Sequence, residues 1–187
     1  MAGRVEAVGK EVTQFQPGDE VIGDSFEHGL GAFAEYVSIA ETAIVLKPTG
    51  VSFEDAAAMP TAAVTALQGL RDKGKIQPGQ KVLINGASDG VGTYAVQIAK
   101  SFGAEVTGVC STKNVEMVRS IGADHVIDYT REDFTQNGQG YDLVIDAVGN
   151  RSVSDLKRAL SPGGTCVIIG FTSLGLLFQA AFLGAWM

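Results

Sequence analysis

Cysteine, histidine and tryptophan are scarce in this sequence. Its 187 residues include two cysteines, two histidines and one tryptophan. Cys110 and Cys166 lie too far apart to form a C-x-x-C pair, so the sequence lacks the paired thiols of a structural zinc lobe. His28 and His125 do not stand in a metal-ligand spacing either. We therefore predict no metal site, surface histidines, two buried free thiols and a reducing, cytoplasmic location.

Basic residues are also in the minority. The chain has 14 Lys and Arg against 21 Asp and Glu, a formal net charge of -7, which disfavours nucleic acid and anionic membrane surfaces as partners. An anionic cofactor is compatible with this balance because backbone dipoles can hold a phosphate locally. The sequence also lacks a Ser/His/Asp arrangement, a pair of catalytic carboxylates and an H-E-x-x-H motif, so hydrolytic chemistry has no support.

Long apolar segments are missing at the N-terminal end and incomplete at the C-terminal end. Residues 1–20 carry charges throughout and lack the apolar segment of a secretory signal. No charged residue follows Arg158, but Pro162 and several glycines interrupt the first half of that stretch. The continuously apolar part, 174–187, is shorter than the roughly 20 residues that span a bilayer. We predict no membrane span.

A short apolar run, a glycine-rich turn and a helical pattern follow one another in residues 81–100, KVLINGASDGVGTYAVQIAK. This order is the context of a dinucleotide-binding fingerprint, in which glycines let the backbone approach a pyrophosphate at the start of a helix. Gly86, Gly90 and Gly92 are spaced G-x-x-x-G-x-G, not G-x-G-x-x-G. The alternative interpretation is a glycine-rich turn without a ligand.

Strand and helix patterns alternate after residue 80 and predict a doubly wound parallel sheet, with ligands at the carboxyl ends of its strands. Five strands are predicted at 81–85, 105–110, 125–128, 141–148 and 165–169, and helices at 91–102, 113–121 and 152–160. Residues 1–50 are turn-rich and resemble part of a small β-barrel or sandwich. Between these regions Pro60 predicts two helices and not one, and Ser52 with Asp55 predicts a capping box.

The end of the second predicted strand decides the type of cofactor. NAD-binding proteins place an acid there, but Ser111 and Lys113 follow this strand, and a hydroxyl with an ammonium suits a 2′-phosphate. The alternative is that Ser111 is only a helix N-cap and Lys113 only a surface residue. Tyr129 ends the third strand and either reaches the same pocket or lies at the edge of the sheet. Asp146 ends the fourth strand, beside small residues that leave room for a nicotinamide ribose, or is only a turn former or cap.

Seven ordered blocks resemble the medium-chain dehydrogenase/reductase superfamily, in its zinc-independent quinone oxidoreductase branch. They are GRVEAVGKEVTQFQPGDEVIG, GAFAEYV, KPTGVSFEDAAAMPTAAVTALQGL, KVLINGASDGVGTYAVQIAK, GAEVTGVCSTKN, GADHVIDY and YDLVIDAVG. The resemblance implies a partial GroES-like β domain at 1–50 and a Rossmann NADP-binding domain at 51–187. It also implies truncation at both ends, because the start of the first domain, a sixth strand and a C-terminal return are absent.

The resemblance also implies a set of cofactor contacts. The pyrophosphate of NADPH would contact Gly90, Val91 and Gly92, with Gly86 and Ser88 in the same turn. Its 2′-phosphate would be bound by Ser111, Lys113 and Tyr129. The nicotinamide and its ribose would lie near Thr65, Val148, Ile169 and Gly170. The family usually has glycine at the position of Asp89. A carboxylate in the phosphate turn would repel pyrophosphate unless it points to solvent.

The resemblance implies hydride transfer from NADPH to a quinone or an activated alkene, a small-molecule substrate, without a metal and in a homodimeric parent protein. No residue stands out as the general acid. Two alternatives remain: a non-catalytic nucleotide-binding fragment, and an enoyl reductase unit of a polyketide or fatty-acid synthase. We also expect association through apolar residues near the C-terminal end, namely Leu174, Leu176, Leu177, Phe178, Phe182, Leu183 and Trp186.

Overall fold

The chain divides into two compact units, the first ending at Val64 and the second beginning at Thr65. The computed structural model describes residues 1–29 and 31–183. Residues 51–64 group with the first unit, so the division falls later than the boundary predicted after residue 50. Each unit is described by itself.

A three-stranded antiparallel sheet forms the centre of the first unit. Its strands are β1 (Ala2–Arg4), β2 (Glu20–Gly23) and β3 (Ile44–Leu46), with β2 in the middle. Short 3-10 turns at Phe26–His28 and Glu41–Ala43 interrupt the connection between β2 and β3. The sheet confirms the prediction of a turn-rich β portion.

Helix α1 (Phe53–Leu67) contains Pro60, so the prediction of two helices is wrong. A proline in a helix interior costs about 3 kcal/mol because it removes a donor and crowds the preceding turn. The alanine-rich sequence on both sides favours one continuous helix over a break. The predicted cap at its start is present, since the Asp55 N–H donates to Ser52 Oγ at 3.0 Å. The helix continues into a π-helical turn at Gln68–Lys73.

A five-stranded parallel sheet forms the second unit, in the order β6-β5-β4-β7-β8. Its strands are β4 (Lys81–Asn85), β5 (Glu105–Cys110), β6 (His125–Asp128), β7 (Tyr141–Asp146) and β8 (Leu160–Ile168). The helices are α2 (Gly90–Ser101), α3 (Val115–Ser120), α4 (Val153–Ala159) and α5 (Leu174–Leu183). The chain runs outward from β4 to β6 and returns on the other side of β4 at β7. This reversal creates a topological switch point between β4 and β7.

Helices cover both faces of the parallel sheet. Val82 and Ile84 belong to one buried cluster with Val96 of α2, whereas Leu83 belongs to a second cluster with Leu156 of α4. Successive side chains of a strand point to opposite faces, so the two clusters lie on opposite sides of β4. The fold class predicted from the sequence is therefore confirmed, with five parallel strands and helices on both faces.

Three details of the second unit differ from the predictions. Strand β7 ends at Asp146, two residues earlier than predicted. Strand β8 begins at Leu160, because Leu160 pairs with Tyr141 before an irregularity in the register. Of the two free thiols, Cys110 is buried as predicted but Cys166 is half-buried.

The last described helix is strongly apolar. Leu174 is 72% exposed and Phe178 is 59% exposed on α5. Among the residues that the structure describes, no helix has both the length and the apolar character needed to cross a membrane. Trp186, which the sequence predicts to take part in association, lies outside the described residues.

Candidate functional site

The glycine turn between β4 and α2 is held tightly by the chain itself. Gly86 has a φ of +87°, and a Cβ there would lie 2.8 Å from Val148 Cγ2. Its N–H donates to Val109 O at 3.2 Å, which fastens the turn to the end of β5. A Cβ on Gly92 would overlap Gly86 O, so only glycine lets α2 begin this close to the strand. Around Gly90, no described atom apart from its chain neighbours and the nearby backbone of α2 lies within 4 Å of a Cβ position, so that side of the turn is open to a ligand.

Asp89 is the N-cap of α2. Its Oδ1 accepts a hydrogen bond from the Gly92 N–H at 2.5 Å, and its Oδ2 lies 2.9 Å from the position of a Cβ on Gly86. Burial in the turn raises the pKa of the carboxyl, while hydrogen bonds from the Gly92 and Val91 amides act in the opposite direction. The residue is exposed, but both carboxylate oxygens lie against the phosphate turn.

A small hydrogen-bond network joins the turns that follow β4 and β5. Asn114 Nδ2 donates to Ser88 Oγ at 3.0 Å and to Ser111 Oγ at 3.4 Å. Ser111 occupies the N-cap position of the 3-10 turn Thr112–Asn114, but its hydroxyl makes no capping hydrogen bond. The hydroxyl is thus not committed to the helix start. Sequence reasoning missed Asn114, whose only signal is a polar residue three positions after Ser111.

Lys113 and Tyr129 lie on the surface close to this network. Lys113 is exposed, and none of the ion pairs between described residues includes it. Tyr129 is 55% exposed, and its N–H donates to Cys110 O at 3.1 Å, next to Ser111. The carboxyl of Asp128, one residue before Tyr129, has a lowered pKa, chiefly because the Thr112 hydroxyl donates to it.

Asp146 holds together the loops at the carboxyl ends of β4 and β7, at the switch point. Its side chain is fully buried, and Oδ1 accepts hydrogen bonds from Asn85 Nδ2 at 2.8 Å, the Val148 N–H at 3.2 Å and the Gly149 N–H at 2.9 Å. Its Oδ2 is buried without a hydrogen-bond partner among the described atoms. The interpretation of Asp146 as a turn former is therefore correct. Sequence reasoning missed Asn85, although an amide at the end of an apolar strand is a signal for such a pair.

The segment after β8 returns to the same edge. The Ile169 N–H donates to Asp146 O at 2.8 Å, and a Cβ on Gly170 would overlap Ala147 O. Ile169 Cδ1 lies 3.2 Å from the Cβ position of Gly69, in the π-helical turn. Thr65 is half-buried about one turn before Gly69. Val148, Ile169 and Gly170 thus lie together at the carboxyl ends of β7 and β8, and Thr65 lies on the helix that leads to Gly69.

The predicted site residues lie along the carboxyl ends of the parallel strands and the adjoining helix end. This is where open α/β sheets bind ligands. At two of the three glycines a Cβ would meet atoms of the chain itself, while Gly90 leaves one side of the turn open, and the Ser111 hydroxyl and exposed Lys113 suit a phosphate. These residues fit a dinucleotide, and the Asp89 carboxylate is the group that does not. Among the described residues, no cluster of three or more His, Cys, Asp or Glu side chains is arranged to hold a metal ion.

Comparison with known proteins gives two family matches. Residues 90–183 match the zinc-binding dehydrogenase family, and residues 1–49 match the alcohol dehydrogenase GroES-like domain. A 2-methylene-furan-3-one reductase of Solanum lycopersicum is 38% identical over 177 residues, which cover 90% of this chain and 45% of that protein. An NADPH-dependent alkenal/one oxidoreductase of Arabidopsis thaliana, named as chloroplastic, is 38% identical over 84% of this chain and 43% of its own length.

Solved structures agree with these relatives. The quinone oxidoreductase from Coxiella burnetii superposes with a TM-score of 0.86 at 32% identity, over 98% of this chain and 58% of that one. The CurK enoyl reductase superposes with a TM-score of 0.80 at 36% identity, over 92% and 53%. The chain spans about half the length of the curated relatives it matches.

Proposed function

The chain belongs to the zinc-binding dehydrogenase family of the medium-chain dehydrogenase/reductase superfamily, in its quinone oxidoreductase branch, and from this premise we propose that the protein is an NADPH-dependent reductase of quinones or activated alkenes. The observation that carries the proposal is the glycine turn between β4 and α2 at the edge of the switch point. The relatives named for enones and quinones support the same substrate class. When bound, the cofactor would supply the hydride.

The residues at the edge of the sheet would bind and orient the cofactor. The open side of the turn at Gly90 would let the backbone approach the pyrophosphate, with the amides of Val91 and Gly92 close by. Ser111, Lys113 and Tyr129 would select a 2′-phosphate, because a hydroxyl, an ammonium and a phenol are donors and no acid directly follows β5. Thr65, Val148, Ile169 and Gly170 would border the nicotinamide end.

The contribution of the chain to catalysis would be orientation. When a protein holds two reactants in line, the barrier to their reaction falls even though no side chain takes part in the chemistry. The Asp146 hydrogen bonds fix the loop that carries Val148, and the Gly149 and Gly170 backbones pack closely beside it. We assign no general acid.

Kinetics with both cofactors tests the proposal. With a naphthoquinone and a conjugated enone as acceptors, we expect the KM for NADPH to be about tenfold or more below that for NADH. Lys113→Glu should raise the KM for NADPH by about tenfold and leave that for NADH nearly unchanged. Lys157→Glu, the same charge change at an exposed position of α4, is the matched control. Equal use of NADH would contradict the cofactor assignment, and stoichiometric zinc by elemental analysis would contradict a metal-free site.

The similarity to the CurK enoyl reductase favours one second function, the enoyl reductase unit of a synthase. Turnover of an enoyl thioester in preference to the free enone would support it. A non-catalytic nucleotide-binding fragment is distinguished by calorimetry: it would bind NADPH without reducing any acceptor. The homodimeric state and the cytoplasmic location remain proposals, which sedimentation and imaging of a tagged protein would test.

A further inference from the structure

The first amides of α2 already have an anionic partner within the chain. Helix N-termini attract phosphates because their first N–H groups lack intrahelical acceptors. Here the Gly92 N–H donates to Asp89 Oδ1, and the Val91 amide also faces that carboxylate. A carboxylate of the protein therefore takes up donors that an external phosphate would use.

The charge of Asp89 is poorly compensated. None of the ion pairs between described residues includes it, and no charged side chain contributes to its pKa shift. Its Oδ2 also leans over Gly86, inside the turn. Two like charges a few ångströms apart in such a partly buried position repel strongly, since water screens them incompletely.

We propose that Asp89 is an affinity-determining residue of the cofactor site, an internal anion that competes with the pyrophosphate for the first amides of α2. The inference rests on the function proposed above. A dinucleotide binds only by displacing this carboxylate or by tolerating its charge. The protein therefore needs a higher cofactor concentration for saturation than it would with an uncharged residue at this position.

The competition is local to the pyrophosphate. A ligand that carries only the 2′-phosphate would approach Ser111 and Lys113 but not the turn. Adenosine 2′-monophosphate is such a ligand, so its affinity should not depend on Asp89. This difference separates a specific effect at the turn from a general change in the charge of the protein.

Calorimetric titration of four proteins tests the proposal: wild type, Asp89→Asn, Asp89→Gly and Asp72→Asn, the last the same loss of charge on a partly exposed residue that pairs with Arg71. Asparagine is a good N-cap, so Asp89→Asn removes the charge and keeps the cap. We expect both Asp89 variants to bind NADPH about tenfold or more tighter than wild type. Asp72→Asn should bind like wild type, and adenosine 2′-monophosphate should bind all four proteins equally.

Unfolding temperatures measured without nucleotide give an independent readout. We expect Asp89→Asn to match the wild type, so that tighter binding reflects the turn and not a more stable protein. If the wild type binds NADPH with a measurable affinity and the Asp89 variants bind it no tighter, the inference fails while the proposed function stands. If the variants also gain affinity for adenosine 2′-monophosphate, the effect is not one of the turn and the inference fails. If none of the four proteins binds NADPH, the proposed function and the inference fail together.

Discussion

Replacing Gly92 by alanine is the sharpest test of how α2 meets the sheet. A Cβ at this position would overlap Gly86 O and would lie 2.7 Å from Gly86 C and 2.8 Å from Ala87 Cα. All three atoms belong to the backbone of the turn that follows β4. They cannot rotate away as a side chain would, so α2 or the turn has to move.

The size of the effect follows from these distances. Ordinary van der Waals contact of a Cβ begins at 3.4 Å, and all three backbone atoms lie inside 3.0 Å, a separation that real Cβ atoms essentially never show. Overpacking a core costs about 1–3 kcal/mol and occasionally more. Because the obstacle is backbone, we expect a loss near the upper end, about 3 kcal/mol in the free energy of unfolding. In a protein of this size that corresponds to a fall of roughly 6–12 °C in the unfolding temperature.

Gly90→Ala is the matched control two residues away. Apart from its chain neighbours and the nearby backbone of α2, no described atom lies within 4 Å of its Cβ position, so this variant should be as stable as wild type or gain up to about 1 kcal/mol from helix propensity. It should nevertheless weaken NADPH binding, because the methyl group fills the open side of the turn. Scanning calorimetry without nucleotide measures both stabilities. A Gly92→Ala protein within about 0.5 kcal/mol of wild type, the range of an inconsequential surface substitution, would refute the argument.

Three further predictions concern the rest of the second unit. Asp146→Ala removes the acceptor of the part-buried Val148 and the buried Gly149 amides and one of the two acceptors of Asn85 Nδ2, and it should cost about 3 kcal/mol in urea unfolding; a loss below about 1 kcal/mol would contradict it. Burial and the nearby negative charge of Asp146 raise the pKa of the Cys166 thiol to about 12, so iodoacetamide at pH 8 should label it only after unfolding, as mass spectrometry would show. Replacing exposed Leu174 and Phe178 together by serine should reduce self-association in sedimentation velocity, and unchanged association would assign it to another surface.

The alternation of strands and helices was predictable because each strand is an apolar run and glycine or proline turns separate it from its helix. The ends were less predictable, because partners distant in sequence determine them. Strand β7 stops at Asp146, whose side chain accepts the next amides and forms a turn. Strand β8 starts early because Leu160 finds a partner in Tyr141. Pro60 misled the local analysis, because α1 tolerates its cost of about 3 kcal/mol and no local pattern shows what offsets that cost.

The candidate site was also only partly predictable from the sequence, because some of its contacts join residues distant in the chain. Gly86, Gly92 and Asp146 carry local signals, and the structure gives each a physical reason. Asn85 bonds to Asp146 and Asn114 bonds back to Ser88, in each case across a long stretch of chain, so no local pattern contains either contact. The orientation of Asp89 was also beyond the sequence. A carboxylate at that position was predicted to repel phosphate or face solvent, but its role as the cap of α2 was not predicted.

The order of the strands has a consequence for the time course of folding. Val82 of β4 pairs with Val106 on one side and, on the other, with Leu143, which lies much later in the chain. The second loop is more than twice as long as the first, and by the usual logarithmic dependence its closure costs about 0.8 kcal/mol more in chain entropy. The half formed by β4, β5 and β6 therefore has the kinetic advantage, and the crevice between β4 and β7 is completed afterwards. A nascent chain would acquire its phosphate turn before it acquires the pocket for the nicotinamide.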